Sequence, residues 1–189
     1  DMENPVTDIV KKFNSMRKTG FEIPKIAFMP HSLKDVLAVF KQAESLKNSQ
    51  QILCAMGPLG LPTRLLSEKL NSFLTYTSPS ELLGNLLEIG HTDPFTLNNV
   101  YRYRKINENT KIFGITGFPL KVTSSPELHN SNFENSNMNA VYIPFKSESI
   151  DDAMDFAKQL NIKGFSVTIP HKETVIPLLR EIDSEAEEI

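Results

Sequence analysis

Lys172 stands where an amine could meet a ligand. It follows GFSVTIP (164–170), a predicted strand, and is expected to lie in the first turn of the next helix. A cation there opposes the helix dipole, so the position is locally unfavourable and favours a functional role. A solvated lysine tolerated at a small cost is the alternative. The preceding His171 is predicted to be a packing or surface residue.

Lys25 lies inside another predicted strand, IPKIAFM (23–29), with apolar residues on both sides. Burial would disfavour its ammonium form, lower its pKa and leave an amine that can attack a carbonyl carbon to form a Schiff base. The alternative is an edge-strand lysine whose aliphatic stem carries the amine out to water. The strand pattern by itself favours this alternative.

A cation and a group of hydroxyls follow two further predicted strands. Arg64 comes after the turn MGPLGLP, where a guanidinium suits bidentate binding of a carboxylate; a solvated arginine at a helix start is the alternative. Thr123, Ser124 and Ser125 precede a predicted helix. Hydroxyls beside unsatisfied N–H groups can bind a carboxylate or sugar-like hydroxyls. Simple N-capping by Ser125 is the alternative, and both roles can coexist.

The remaining metal-ligating and nucleophilic residue types form no recognisable site. His31, His91 and His129 are far apart in the sequence and lack metal-ligand spacing, so no metal is predicted. Cys54 is the single cysteine, which excludes an internal disulfide and a cysteine-based zinc site. The sequence contains no G-x-G-x-x-G, the motif typical of dinucleotide binding.

The composition indicates a globular protein that binds a small molecule or another protein. With 40% hydrophobic and 23% charged residues it is ordinary, and a net charge of -3 with both signs interspersed provides no basic surface for nucleic acid or an anionic membrane. No apolar run reaches about 18 residues and no leader peptide is recognised, so a cytoplasmic protein is expected. The chain starts without methionine, and both ends are expected to be cut.

Helices and strands alternate along the chain, which predicts an α/β fold with parallel sheets. In such sheets ligands bind beyond the carboxyl ends of the strands. The polar stretch KINENT (105–110) is predicted to join two series of elements. The first series has helices at 5–19, 33–46, 63–72 and 93–104 and strands at 23–29, 51–56 and 73–77, with 78–92 ambiguous. The second has strands at 111–116, 140–145 and 164–170 and helices at 125–136, 149–161 and 171–183.

The second series resembles the substrate-binding domain of shikimate dehydrogenase. The resemblance is carried by GITGFPLKVTSSPELHN and SVTIPHKE, with AVYIPF between them. It implies that Thr123 and Ser125 hold the substrate carboxylate, although the family usually has serine at the first position. It also implies that Thr168 and Lys172 contact ring hydroxyls. Lys172 would assist proton transfer at the hydroxyl that becomes a ketone as hydride goes to NADP.

The first series resembles the C-terminal part of type I 3-dehydroquinate dehydratase, which is a (β/α)₈ barrel. IPKIAFMP matches the family's Schiff-base strand and implies that Lys25 forms the imine. MGPLGLPTRLL matches the segment with the family's carboxylate-binding arginine and implies that Arg64 binds the substrate carboxylate. The imine would acidify the adjacent carbon, so that a base can remove a proton and water can leave.

Three departures from the two families accompany these motifs. The dehydratase lid normally reads Ser-Ala-Pro-Gly-Gln, and alignment on Gly90 puts His91 at the glutamine and Leu87 at the serine. The family's catalytic histidine lies just before the position of Asp1. The NADP-binding Gly-rich loop lies beyond the position of Ile189. We therefore expect that this stretch alone completes neither reaction.

Together the resemblances predict a fragment of a bifunctional 3-dehydroquinate dehydratase/shikimate dehydrogenase. Residues 1–107 would be the C-terminal part of the barrel and 108–189 an incomplete α/β substrate-binding domain. The parent protein would convert 3-dehydroquinate into 3-dehydroshikimate and reduce it to shikimate with NADPH. Alternatives are a non-catalytic regulatory protein that senses quinate or shikimate metabolites, and a protein in which only the dehydrogenase half is active. Retention of both Lys25 and Lys172 favours catalysis.

Overall fold

A computed structural model describes residues 3–46, 49–79, 81, 91–120 and 123–188. No helix among these residues is long and apolar enough to cross a membrane. The α-helices are α1 (Ile9–Met16), α2 (Leu33–Ala43), α3 (Leu61–Leu65), α4 (Ser125–Asn135), α5 (Ile150–Gln159) and α6 (Ser184–Glu187). The strands are β1 (Lys25–Phe28), β2 (Ile52–Ala55), β3 (Lys111–Thr116), β4 (Ala140–Pro144) and β5 (Gly164–Val167). Shorter 3₁₀ turns cover Glu44–Leu46, Pro58–Gly60, Ser67–Leu70, Tyr103–Lys105 and Ile176–Leu178, and Thr96–Val100 forms a π-helix.

The strands form two parallel sheets, which confirms the predicted α/β fold. β1 pairs with β2, and the second sheet has the order β4-β3-β5. Helix α2 crosses from β1 to β2, and α4 crosses from β3 to β4. A parallel pair needs such a crossover because its strands run in the same direction.

Several helices begin at capped residues, as their sequences favour. Asp8 caps α1 by accepting a hydrogen bond from the N–H of Lys11. Ser32 and Asp35 form a reciprocal capping box at the start of α2. Ser149 accepts from the backbone of α5. Each cap satisfies an N–H group that the helix cannot satisfy internally, so the first turn is fixed by local sequence.

The predicted strand at 73–77 is not formed. Sheet pairing beyond β2 stops after a single bridge between Gln51 and Ser72. The N–H of Leu53 donates to Ser72 Oγ at 3.0 Å, so a side chain takes the place of the next backbone partner. Phe73 is 56% exposed, so its side chain is not part of the buried core. The ladder therefore ends where the hydroxyl replaces a carbonyl.

The predicted helix at 171–183 is also wrong. Only Ile176–Leu178 forms a 3₁₀ turn there. Pro177 has no N–H to donate, and Ile176, Leu178 and Leu179 are 42–47% exposed. An amphipathic helix is stabilised mainly by packing of its apolar face, which these side chains lack.

The predicted helix at 93–104 is interrupted. The π-helix ends before Arg102, whose φ of 52° lies in the left-handed region. A helix cannot continue through a residue in this conformation, so a separate 3₁₀ turn follows it. The first helix is shorter than the predicted 5–19, because α1 begins at Ile9, after the cap Asp8, and ends at Met16.

One buried apolar cluster runs through both halves of the chain. Helix α2 packs against α5, where the rings of Phe40 and Phe156 meet edge to face at 6.0 Å. Phe145 packs on Phe156 at 5.6 Å. Lys69 Nζ also donates to the carbonyl oxygen of Glu108 across the predicted junction. The division between residues 107 and 108 stays a prediction.

Replacement of Phe156 by alanine tests this shared core. Phe156 is fully buried, so Phe156→Ala should lower the free energy of unfolding by about 3–5 kcal/mol through lost burial and a cavity. Urea unfolding of the chain measures the change. Phe21→Ala is the control, because Phe21 is 93% exposed and should change stability by no more than about 0.5 kcal/mol. Equal losses in both variants would contradict packing between the halves.

Candidate active sites

The first candidate site is built on one face of the β1–β2 sheet. Lys25 is aligned with Ile52, and Ala27 with Cys54. Because side chains alternate along a strand and aligned residues of parallel strands point the same way, these four side chains share a face. The opposite face, which includes Ile26, joins the buried core.

Lys25 is exposed, which agrees with the favoured alternative of a lysine whose amine reaches water, and the buried amine considered for imine chemistry is not found. Its Nζ lies over the ring of Tyr76, 4.0 Å from the centroid. The ring attracts a cation through its quadrupole and covers the amine without enclosing it. Strand alternation explains this exposure, since Lys25 points away from the buried side chains of Ile26 and Phe28. The imine role of Lys25 stays a prediction, and its amine is accessible to a ligand.

Arg64 is held at the end of β2 by a chain of hydrogen bonds. The N–H of Ala55 donates to Thr63 Oγ1 at 3.0 Å, and this hydroxyl donates to the carbonyl of Gly60 at 2.7 Å. A Cβ at Gly60 would lie 2.2 Å from the carbonyl oxygen of Ala55, so only glycine permits this approach. Arg64 is 2% exposed, which contradicts the alternative of a solvated arginine.

Four titratable groups influence one another at this site: Arg64, Cys54, His91 and Lys25. Burial lowers the pKa of the Arg64 guanidinium, and Cys54 opposes the change. Burial raises the pKa of the Cys54 thiol, and the charges of Arg64 and Lys25 oppose it. Burial lowers the pKa of His91, and Arg64 and then Lys25 lower it further. The site therefore has positive potential, which suits an anionic ligand.

Sequence reasoning assigned no role to Tyr76, Ser78 or Cys54. Ser78 Oγ is hydrogen-bonded to His91 Nδ1, and the N–H of Ser78 donates to the carbonyl of Thr92 at 3.2 Å. The register of Cys54 with the strand of Lys25 could have indicated its place. Tyr76 and Ser78 gave no signal, because their segment is neither helix nor strand.

Part of the predicted lid lies outside the described residues. Leu87 and Gly90 both fall there, so the alignment of Leu87 with the lid serine stays a prediction. His91 is described, and it lies at this site.

The second candidate site begins with two hydroxyls that follow β3. Thr123 Oγ1 and Ser125 Oγ are 2.9 Å apart, and the N–H of Ser125 donates to Thr123 Oγ1 at 3.2 Å. Ser124 is the N-cap of α4 and makes no side-chain cap bond. The N-capping role considered for Ser125 is therefore not found. Both Thr123 and Ser125 are half-buried.

Thr168 is fixed next to the start of the same loop. Its N–H donates to the carbonyl of Thr116 at 3.0 Å, and the N–H of Phe118 donates to the carbonyl of Ile169 at 2.9 Å. A Cβ at Gly117 would lie 2.5 Å from Thr168 Cγ2. Glycine therefore lets the ends of β3 and β5 approach closely.

Lys172 is exposed and follows a buried histidine. No α-helix begins at Lys172, so the argument from the helix dipole is wrong. His171 is 3% exposed, and its Nε2 is hydrogen-bonded to the carbonyl oxygen of Ser147 at 2.8 Å. The N–H of His171 donates to the carbonyl of Thr168 at 2.9 Å. His171 is thus a packing residue that fixes the backbone between Thr168 and Lys172.

The loops after four strands line one cavity of about 320 Å³ between the halves. Ser32 follows β1, Leu59 follows β2, Phe118 follows β3, and Lys146 and Ser149 follow β4. The carboxyl ends of both sheets therefore face the same space. Among the described residues, no group of three His, Cys, Asp or Glu side chains could hold a metal ion.

Two family models match the chain in successive segments. Residues 1–108 match type I 3-dehydroquinase, and residues 115–189 match the shikimate dehydrogenase substrate binding domain. The bifunctional 3-dehydroquinate dehydratase/shikimate dehydrogenase of Arabidopsis thaliana, named as chloroplastic, is 30% identical over 174 residues, which are 92% of this chain and 28% of that protein.

Two further relatives match parts of the chain. The shikimate dehydrogenase (NADP(+)) of Caldanaerobacter subterraneus is 47% identical over 87 residues, which are 45% of this chain and 31% of that protein. The solved structure of dehydroquinate dehydratase and shikimate dehydrogenase from S. pombe is 26% identical and has a TM-score of 0.40. The match covers 86% of this chain and 30% of the S. pombe chain. This chain therefore spans less than a third of the length of these relatives.

A methyl group at Gly117 tests the contact between β3 and β5. Gly117→Ala places Cβ 2.5 Å from Thr168 Cγ2 and 2.7 Å from the carbonyl oxygen of Ile169. We expect a loss of about 1–3 kcal/mol in the free energy of unfolding, because backbone atoms must move. Gly164→Ala is the control, since its Cβ would meet Phe113 only at 3.5 Å, an ordinary contact. If urea unfolding gives both variants the same stability, the close approach at Gly117 is wrong.

Proposed function

The chain belongs to the type I 3-dehydroquinase family, joined to a shikimate dehydrogenase substrate-binding domain, and we propose that it is part of a bifunctional enzyme of the shikimate pathway. Strands β1 and β2 and the helices next to them would form part of the family's (β/α)₈ barrel. The observation that carries the proposal is that one chain contains both Lys25 and buried Arg64 around Cys54 and the hydrogen-bonded hydroxyls of Thr123 and Ser125. A bifunctional relative matches 92% of the chain across both.

In the proposed first reaction, Lys25 attacks the ketone carbon of 3-dehydroquinate and forms an imine with loss of water. The cationic imine draws electrons from the adjacent carbon, so that its proton can be removed and the hydroxyl one carbon further can leave. Arg64 binds the substrate carboxylate. Its burial supports this role, because a guanidinium out of water gains more from an anionic partner than a solvated one does.

In the proposed second reaction, the hydroxyls of Thr123 and Ser125 hold the carboxylate of 3-dehydroshikimate. Their mutual hydrogen bond uses at most one hydroxyl hydrogen, which leaves the other for the carboxylate. Thr168 and Lys172 contact the ring oxygens, and Lys172 transfers a proton to the ketone oxygen as shikimate forms. The exposed amine of Lys172 supports this role, because the ligand can reach it.

NADPH is the proposed cofactor, and when bound it supplies the hydride of the second reaction. The Caldanaerobacter relative is named as an NADP(+) enzyme. The described residues do not fit a dinucleotide site, because the sequence contains no G-x-G-x-x-G, and none is assigned to it. The proposed partners are the small-molecule substrates 3-dehydroquinate and 3-dehydroshikimate or shikimate, with no nucleic acid and no membrane. The cytoplasm stays the proposed compartment, although the Arabidopsis relative is named as chloroplastic.

Borohydride trapping tests the imine. The full-length protein that contains this chain should form a reduced adduct with 3-dehydroquinate at Lys25, located by peptide mass analysis. Lys25→Arg should abolish the adduct, because a guanidinium does not form an imine. Lys12→Arg, at an exposed position on α1, is the control and should keep it. An unmodified Lys25 in a protein that still oxidises shikimate would leave only the dehydrogenase half active.

Substitution of Lys172 tests the second site. Lys172→Ala should lower kcat for shikimate oxidation by about 10²- to 10⁴-fold, as expected when a proton-transfer group is removed. KM should change far less, because the interaction is made mainly in the transition state. Lys163→Ala is the control, since Lys163 is exposed and its Nζ donates only to the nearby side chain of Asn161. An unchanged kcat would remove Lys172 from the mechanism.

A further inference from the structure

Tyr142 lies beside the second candidate site and has no part in the reactions proposed above. It is the third residue of β4, and only 3% of it is exposed. Tyr142 is aligned with Phe113, and Phe113 with Gly164. Because aligned residues of parallel strands point the same way and side chains alternate along a strand, Tyr142 and Ser166 share one face of the sheet.

The phenol of Tyr142 reaches across the sheet to β5. Tyr142 Oη donates a hydrogen bond to Ser166 Oγ at 2.9 Å, and β3 lies between the two strands. Burial raises the pKa of the Tyr142 hydroxyl, and the bond to Ser166 opposes this change, so the phenol keeps its hydrogen at neutral pH. Exposed Ser166 precedes Thr168 by two residues. The bond therefore holds β5 just before the residue proposed to contact the ring oxygens of the substrate.

The same aromatic ring packs against the segment that carries the carboxylate-binding hydroxyls. Leu120, three residues before Thr123, belongs to the same buried apolar cluster as Tyr142. His129 stacks on the Tyr142 ring, with the centroids 4.3 Å apart and the planes at 17°. His129 and Ser125 are four residues apart in α4 and so lie on one face of that helix. Tyr142 thus contacts the loop before Thr123 and the helix that begins at Ser125.

Asn130 fixes the backbone that carries this ring. Its Nδ2 donates to the carbonyl oxygen of Tyr142 at 2.9 Å, and the N–H of Tyr142 donates to Asn130 Oδ1 at 2.7 Å. Asn130 is 1% exposed, so water does not compete for these two bonds. Tyr142 is therefore held at its backbone by α4 and at its hydroxyl by β5.

We propose that Tyr142 is a positioning residue of the dehydrogenase site. This inference rests on the proposed function. The Tyr142 hydroxyl holds Ser166, and with it the end of β5 at Thr168. The hydroxyls of Thr123 and Ser125 are then kept at one separation from Thr168. A cyclic substrate that joins its carboxylate to its ring oxygens fits one such separation. Without the Tyr142 hydroxyl the separation varies, and affinity for shikimate falls with the fraction of molecules that fit it.

A positioning role and a purely structural role change different kinetic constants. A variant that is only less stable contains less folded enzyme, so its apparent kcat falls while the KM values of the folded molecules stay the same. A variant with a loosened shikimate site has a higher KM for shikimate and an unchanged KM for NADP. The two KM values therefore distinguish the roles.

The experiment measures shikimate oxidation with NADP by the full-length protein that contains this chain. Tyr142→Phe removes the hydroxyl and keeps the stacked ring. We expect KM for shikimate to rise about fivefold, as for the loss of one hydrogen bond, while kcat and KM for NADP stay within about twofold. Ser166→Ala should give the same rise, and the double variant no more than either single variant, because all three lack the same bond.

Tyr103→Phe is the matched control. The hydroxyl of Tyr103 is also hydrogen-bonded to a serine, Ser67 Oγ, at 2.6 Å, but it lies in the turn before β3 rather than at the second site. Loss of this hydroxyl removes a bond of the same kind, and we expect both KM values to stay unchanged.

An unchanged KM for shikimate in Tyr142→Phe overturns the proposal, and so does an equal rise in Tyr103→Phe. If Tyr142→Phe raises this KM and Ser166→Ala does not, the hydroxyl does not act through Ser166 and the proposal is overturned. If Tyr142→Phe does not fold, Ser166→Ala decides: a rise for shikimate alone supports the proposal, and no rise overturns it. An unsubstituted protein that oxidises no shikimate would overturn the proposed function itself, a result distinct from a raised KM.

Discussion

Parallel pairing of strands decides where each candidate residue of this protein lies. The register of β1 with β2 puts Lys25 and Cys54 on one face, and helix α3, which follows β2, places Arg64 close enough for its charge to act on Cys54. The pairing of β3 with β5 holds Thr168 at the start of the loop that carries Thr123. Because the carboxyl ends of parallel strands meet at one edge, residues far apart in sequence can be brought to the same side of a sheet.

The two candidate sites differ in the burial of their cationic side chains. In the first, Arg64 is buried while Lys25 lies against an aromatic ring and stays open to a ligand. Burial of the guanidinium has a desolvation cost that an anionic substrate can offset. In the second, Lys172 is exposed, and precision comes from the backbone, because buried His171 fixes the residues on either side of it. The first site therefore contains a buried cation, Arg64, whereas the cation of the second site, Lys172, is exposed.

Local bonds made the starts of α2 and α5 predictable, and distant contacts made other boundaries unpredictable. The cap at Ser149 is a bond within four residues, so the sequence around it contains all the information. The strand expected at 73–77 fails because Ser72 Oγ takes a bond from Leu53, a residue 19 positions earlier. The helix expected at 171–183 fails because Ile176 and its apolar neighbours stay 42–47% exposed and give it no buried apolar face.

The sequence alone determined the alternation of helices and strands, the two family motifs and therefore the proposed residues Lys25 and Arg64. These features depend on residue type and short spacing, which are written in the chain. Only the tertiary structure decided that Lys25 is exposed over Tyr76 and that Ser78 is hydrogen-bonded to His91. Such contacts join segments whose separation in space is fixed by sheet pairing and core packing, so no local pattern contains them.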